Sequence, residues 1–313
     1  MAQQANTFAT FNAVGNREEL ANAIYRISPE ETPFVSTIGK DKASSVNPEW
    51  QTDALAAAAN NKVEQGNQAA VAAVTPTKRV GNRTQISEKT FGVTGTQEEV
   101  DKAGRKSEVA YQKAKKMVEL KRDIEYAAIN NTTAIPAAAG VAPQARGLSG
   151  WLATNNSLGA TGAAPNPDTN TAPTDGTLRT FTEALLKDVA QKCWEQGGNP
   201  TMLFVPGALR ATVSGFTGAA TKFDKTEDKT LYATVEVYVG DFGRYSIINS
   251  RHQRARDVFL IDPKQWDLLT LRGMKSTPLA KTGDAENYMI NTEWTLKSKQ
   301  EAASGAIRDL QPA

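Results

Sequence analysis

The stretch from Thr96 to Asn130 constrains this chain most, because it reads as one uninterrupted helix. Thr96 followed three residues later by Glu99 is a capping box, a chemical signal for a helix start. Val100, Ala103, Ala110, Ala114, Met117, Ile124 and Ala128 then recur close to the helical repeat. Glu98 with Lys102, and Asp101 with Arg105, add surface pairs in the favourable order. At 1.5 Å per residue such a helix is roughly 50 Å long, well beyond the usual three turns or so. A long core helix of an ordinary domain is one reading. It leaves the preceding segment unexplained.

That segment, Asn47 to Thr94, has two strand-like ends and almost no core of its own. Pro48 to Asp53 reads as one strand and Val80 to Ile86 as another. Phe91 and Val93 fall on the opposite parity from Val80 and Ile86, which predicts a bulge or twist between them. Ala56 to Thr77 lies between, rich in Ala, Asn and Gln and nearly free of large apolar side chains. Such a segment cannot bury enough surface to hold itself together. It is either a disordered insertion or a long hairpin stabilised by a neighbouring molecule, and the pattern leaves both open.

Residues 1–45 read as a weakly structured arm, with a short helix over Arg17 to Tyr25. A second start at Ser28-Pro29-Glu30-Glu31 is expected to be broken by Pro33, with Gly39 as the stop. Beyond the long helix, Thr132 to Gly176 reads as a surface loop anchored at Leu148, Trp151 and Leu152. A helix over Thr182 to Gln196 carries the stripe Phe181, Leu185, Val189 and Cys193, and Gly197-Gly198 ends it. Met202 to Val205 reads as a buried strand, and Pro206 opens a short helix. Strands follow at Leu231 to Val239, Tyr245 to Asn249 and Val258 to Ile261, with an apolar segment from Trp266 to Leu271. The last long strand alternates, with Tyr288, Ile290, Thr292, Trp294 and Leu296 on one face, so that face is covered. Helices and strands mix without βαβ regularity, which predicts an α+β protein.

The chemistry of an enzyme is missing from the pattern. There is no phosphate loop, no dinucleotide fingerprint, no C-x-x-C pair and no H-E-x-x-H. Gly147-Leu148-Ser149-Gly150-Trp151 lacks the last glycine of a nucleophile elbow. Cys193 cannot form an internal disulfide and reads as a reduced core residue. His252, the single histidine, sits in Arg251-His252-Gln253-Arg254-Ala255-Arg256. That basic loop reads as solvated and balanced by Asp257, in preference to a polyanion contact or charged gate. Asp257, Asp262 and Asp267 follow no calcium-loop pattern. No catalytic residue, metal site or cofactor is expected. The formal charge of +2 argues against a dedicated nucleic-acid binder, and no stretch approaches the roughly 20 apolar residues of a membrane span. The chain reads as soluble and made in a reducing cytoplasm.

A series of motifs then matches a known family. It runs Arg17-Glu18-Glu19-Leu20, Ser28-Pro29-Glu30-Glu31-Thr32-Pro33-Phe34, Glu49-Trp50-Gln51-Thr52-Asp53, Asn82-Arg83-Thr84-Gln85-Ile86 and Val93-Thr94-Gly95-Thr96. It continues with Glu119-Leu120-Lys121-Arg122-Asp123-Ile124-Glu125, Gly197-Gly198 and Ala280-Lys281-Thr282-Gly283-Asp284. The chain resembles the major capsid proteins of tailed bacteriophages, the Hong Kong 97-type shell fold. The resemblance implies an N-terminal arm over 1–45 and an extended loop over 46–95 that lies on a neighbouring subunit. It implies a peripheral domain over 96–139 and 276–313, with the long helix as its spine, and an axial domain over 140–275.

The implied function is a structural subunit forming pentamers and hexamers of an icosahedral head around double-stranded DNA, held without sequence preference. Assembly in the host bacterial cytoplasm, a separate scaffolding protein and a portal follow as partners, and the virion capsid as the final location. Trp50, Asp53, Leu55, Arg83 and Ile86 are the candidate inter-subunit contacts. Trp50 either anchors the loop on a neighbour or packs on its own subunit at the hairpin base. Family members that crosslink use a lysine, an asparagine and a glutamate; nothing in the spacing of Lys62, Glu64 and the asparagines singles them out, and no crosslink is expected. The alternatives are an encapsulin-like nanocompartment shell, and an enzyme or ligand-binding domain with a disordered insertion.

Overall fold

A computed structural model describes residues 31–68, 71, 73–216, 237–281 and 283–312. The expected helix at Arg17 to Tyr25, the start at Ser28 and most of the expected strand Leu231 to Val239 lie outside the described residues.

In chain order the elements are α1 (Pro33–Thr37), β1 (Gly39–Lys42), β2 (Glu49–Thr52), β3 (Lys78–Gly81) and β4 (Gln85–Thr94). Next come α2 (Gly95–Glu99), α3 (Glu108–Asn130), α4 (Leu148–Trp151), β5 (Asn155–Ser157) and α5 (Glu183–Glu195). Then follow β6 (Met202–Pro206), α6 (Gly207–Ser214), β7 (Val237–Gly240), β8 (Gly243–Ser250) and β9 (Val258–Ile261). The last are β10 (Trp266–Pro278), β11 (Ala285–Ser298) and β12 (Gly305–Ile307). The expected α+β class holds.

Three sheets organise these strands. A four-stranded sheet runs β1-β10-β11-β4, a six-stranded sheet runs β5-β12-β9-β6-β8-β7, and β2 and β3 form a separate ribbon. The expected boundaries assign 140–275 to one unit and 276–313 to the other, but the strands are shared between the sheets differently. β10 begins at Trp266 and lies wholly in the four-stranded sheet, while β12 sits inside the six-stranded one.

Two apolar clusters meet across the six-stranded sheet because its strands alternate their side chains. Phe204, Phe259, Ile261 and Ala306 point to α3 and the four-stranded sheet, where Leu120, Ile124, Trp266, Ile290, Trp294 and Leu296 are buried. Leu203, Val205, Val258, Leu260 and Ile307 point to the opposite side, against Leu186, Val189 and Cys193 of α5 and Leu209 and Val213 of α6. Of the face expected to be covered, Ile290, Thr292, Trp294 and Leu296 are buried and Tyr288 is half-buried, but Glu293 and Thr295 of the opposite face are buried as well, so from 292 to 296 both faces are covered. Gly197 ends α5 in the left-handed region at φ +80, and the Gly198 amide donates to the Cys193 carbonyl at 2.9 Å.

Two local expectations fail. The long helix is two helices, α2 and α3, separated by Val100 to Ser107 with Gly104 at φ +75. The Thr96–Glu99 capping box does not form: Thr94 caps α2 without a side-chain bond. The spine starts instead at Ser107, whose hydroxyl accepts from the Ala110 amide at 3.1 Å. The Glu98 carboxylate reaches across the break and accepts from the Glu108 and Val109 amides at 2.8 and 3.2 Å. Arg105 pairs with Glu108, not with Asp101. Val80 to Ile86 is likewise not one strand, because β3 ends at Gly81 and β4 begins at Gln85. At Pro33 the described residues fit the expectation of short turns: Glu31 and Thr32 are not helical, and Pro33 opens the short α1, which ends before Gly39.

Candidate inter-subunit surface

The hairpin of β2 and β3 is antiparallel, with Glu49 opposite Gly81 and Thr52 opposite Lys78. Its root is fixed by the chain itself. The Trp50 indole N–H donates to the Ser298 carbonyl at 2.7 Å, and its ring lies 5.7 Å from the Trp151 ring. Lys297 sits 6.0 Å over Trp50, and Arg146 sits 4.7 Å over Trp151, so two cations flank the aromatic pair. Of the two placements open to Trp50, the one on its own subunit at the hairpin base is filled.

Below the root, Asn82 is buried and uses its amide as a three-way joint. Its carbonyl oxygen accepts from the Arg146 amide at 2.9 Å, and its NH₂ donates to the Arg146 and Leu296 carbonyls at 2.9 and 2.7 Å. It also accepts from the amide of half-buried Arg83 at 2.9 Å. This joint turns the chain between β3 and β4 and ties both to the loop after α3 and to β11. Burial lowers the Arg146 pKa, while its guanidinium donates to the Pro167 carbonyl and the Asn170 side chain, both at 2.9 Å. Thr84 donates to Glu293 at 2.7 Å, and Lys78 meets Asp168 at 2.6 Å on the surface.

Beyond Thr52 the picture reverses. The described residues of 53–77 form no strand or helix, and Leu55, Val63, Val71 and Val74 are 98, 71, 100 and 91% exposed. Asp53 accepts only from the adjacent Ala54 amide, at 2.9 Å. Ile86, on β4, is 45% exposed. The five candidates therefore divide: Trp50 is built into the root, Arg83 is half-buried with its backbone amide on the Asn82 side chain, and Asp53, Leu55 and Ile86 are exposed. A cleft of 640 Å³ opens under the root, bounded by Thr52, Ala54, Lys78, Asp168 and Glu301.

Sequence reasoning missed Asn82, Arg146 and Glu125 as organising residues. Glu125 is fully buried, and its two oxygens accept from the Phe34 and Val35 amides at 2.8 Å each, fastening α1 to α3. Burial raises its pKa against those two bonds. The available signal was a carboxylate placed among Ile124, Ala127 and Ala128 on the apolar stripe.

The basic loop is neutralised inside the chain. Arg254 makes two bonds to Asp175 at 2.8 and 2.7 Å, and Arg256 pairs with Asp175 at 3.1 Å and Asp309 at 2.7 Å. Arg254 holds the Asp175 pKa below the usual range. The expected balance by Asp257 is thus shared with Asp175 and Asp309. Burial pushes the Cys193 thiol up to about 12, which makes it a packing residue at neutral pH. Among the described residues no group of His, Cys, Asp and Glu could hold a metal, and no helix is long and apolar enough to cross a membrane.

The described residues thus combine a long helix packed on a mixed four-stranded sheet, a second sheet sharing its core, and a hairpin with an exposed tip. Comparisons with known proteins give the class. Residues 3–311 match the family model described as SU10 major capsid protein, and the chain belongs to that family. It is 28% identical to the major capsid protein of Escherichia phage Phieco32, covering 96% of both chains. Among solved structures it resembles a chain of the Cyanophage A-1(L) capsid asymmetric unit, with TM-score 0.64 and 13% identity over 96% of this chain and 98% of that one. It also resembles a capsid chain of the native GTA particle, with TM-score 0.65 and 10% identity over 96% and 98%. The fold is the Hong Kong 97-type capsid fold, and the protein is a structural protein of the phage capsid.

Proposed function

We propose that the chain closes into pentamers and hexamers of an icosahedral head, with the 49–81 hairpin as an arm laid on the adjacent copy. The observation that carries this reading is the contrast within the hairpin: a root pinned by Trp50 and a tip whose four aliphatic side chains have no cover. Surface of that kind is covered in an assembly whose contact repeats around a ring. The four-stranded sheet with α3 corresponds to the peripheral domain, and the six-stranded sheet to the axial domain that meets its copies around five-fold and six-fold centres. Assembly in the host cytoplasm, with a separate scaffolding protein and a portal, belongs to the same reading.

The interior would hold double-stranded DNA through contacts that do not read sequence. A near-neutral chain suits confinement better than grip, and the pairing of Arg254 and Arg256 with internal carboxylates supports that. The chain is read as structural and not catalytic, because its cysteine is buried with a raised pKa and its basic loop is spent on ion pairs. Expression with and without a scaffolding protein, followed by negative-stain electron microscopy, tests the proposal. Closed shells or rings of five and six are expected; uniform monomers in both preparations would overturn it.

A further inference from the structure

Among the described residues β12 is the only sheet neighbour of β5, and it fills the gap between β5 and β9. The socket is shaped for it. A Cβ on Gly305 would lie 2.4 Å from Val189 Cγ1 and 2.9 Å from the Asn155 carbonyl oxygen, so a side chain does not fit there. Residues 303–310 are all buried. Arg308 is held by Ser149, whose hydroxyl and carbonyl oxygens accept at 3.0 and 2.8 Å, and by the Asn156 side-chain oxygen at 3.1 Å.

Asp309 comes next, with its backbone in the left-handed region at φ +61, which Asp and Asn tolerate better than other side chains. Its carboxylate accepts from the Gly159 and Gly176 amides at 3.0 and 2.8 Å and pairs with Arg256 at 2.7 Å. Three glycines crowd around it. A Cβ on Gly159, Gly162 or Gly176 would lie 2.8, 2.7 or 2.9 Å from an Asp309 side-chain atom. The Asp309 carbonyl also accepts from the Arg179 amide at 2.8 Å. One aspartate thus fastens both ends of the loop 159–176.

That loop is a narrow finger with its own cross-bonds. Ala163 and Thr174 exchange both backbone bonds at 3.0 Å, and Asn166 and Thr171 exchange theirs at 3.0 and 2.9 Å. The far end of the finger touches the surroundings of the hairpin root. Asp168 pairs with Lys78 of β3 at 2.6 Å. The Pro167 carbonyl and the Asn170 side chain accept from the Arg146 guanidinium, which lies over Trp151 and so against Trp50. We infer that Asp309 in its glycine cradle is a clasp that braces the hairpin root at a distance, through the finger 159–176. The links form one contiguous set of packed and hydrogen-bonded groups, as such coupling requires. A braced root points the arm in one direction before any partner is met, so less ordering is left to do on contact. The brace lies within one chain and works whatever covers the tip.

Hydrogen–deuterium exchange, read at residue level on the unassembled full chain, tests the clasp independently of the shell reading. Asp309→Asn keeps a residue that tolerates the left-handed backbone, but replaces one accepting oxygen by an NH₂ and removes the charge facing Arg256. The Gly159 and Gly176 amides should exchange about tenfold faster, and those of 49–52 and 78–82 about threefold faster. The amides of 290–296 should stay within about 1.5-fold of the parent. Asn170→Gly with Lys78→Ala cuts two links at the end of the finger, and glycine suits the φ of +54 at 170. In that background the effect of Asp309→Asn on the root should shrink to less than about half. Faster exchange in the cradle with an unchanged root overturns the brace, as does a root effect of equal size in both backgrounds. Unchanged Gly159 and Gly176 amides overturn the clasp itself. Should Asp309→Asn strip protection from 290–296 as well, Gly162→Ala, which crowds Asp309 from the finger side, decides by the same criteria.

Discussion

The root and the tip of the hairpin are adjacent in sequence and opposite in physics. At the root, Trp50 has a hydrogen bond, an aromatic neighbour and a cation, all from its own chain. A few residues later Leu55 is 98% exposed, and nothing among the described residues covers it. The difference teaches that one hairpin can be pinned at its root and bare at its tip: Trp50 meets its polar and apolar needs within its own chain, whereas Leu55, Val63, Val71 and Val74 stay exposed.

The most damaging way to break that contrast is to remove the joint under the root. Asn82→Ala leaves the Arg146 amide and two buried carbonyls unpaired, and should cost about 3–4 kcal/mol, read as a lower urea midpoint of the unassembled chain. Trp50→Ala should cost about 2–3 kcal/mol through lost packing on Trp151 and an unpaired Ser298 carbonyl. A destabilisation near zero would mean that Trp50 does not hold the root.

Glu125 extends the contrast to α1, where a buried carboxylate is satisfied by two backbone amides. Its folded pKa is raised above the ordinary 4.5, so the folded chain holds the proton more tightly than the unfolded one. That contribution is complete below the unfolded value and is lost as pH rises through the folded one. The stability of the parent relative to Glu125→Gln should therefore decline as pH rises from 4.5 towards neutrality, measured by urea unfolding. A difference constant across that range would contradict the burial argument.

Smaller effects sharpen the comparison. The exposed Lys78–Asp168 pair should be worth about 0.5 kcal/mol or less, seen when Lys78→Ala is compared with the parent at low and high salt. At the tip, Val71→Ser with Val74→Ser should change the stability of the unassembled chain by less than about 0.5 kcal/mol. The same double variant should lower shell yield, because those side chains matter only where a neighbour covers them.

Much of this was legible in the residues. The missing core of 56–77 is a compositional fact, and exposure of Val63, Val71 and Val74 follows from it. The alternation at Ile290, Thr292, Trp294 and Leu296 gave the long strand, and the motif series gave the shell fold. What stayed hidden depended on long-range polar contacts. Helical periodicity runs through Val100 and Ala103, but it cannot show that Ser107 and the Glu98 carboxylate offer a better start ten residues on. Nor could alternation show that Asn82 splits Val80–Ile86 into two strands, because its partners lie at Arg146 and Leu296. For Trp50 both placements were compatible with its sequence context, and only the position of Trp151 and Ser298 decides the root.

A high-resolution electron cryomicroscopy map of assembled shells tests the central claim most directly. Continuous density is expected for residues 53–77 lying against an adjacent copy, with Leu55, Val71 and Val74 buried there and Trp50 still on Trp151. A tip that projects into solvent, with no adjacent copy in contact while the root stays ordered, would contradict it.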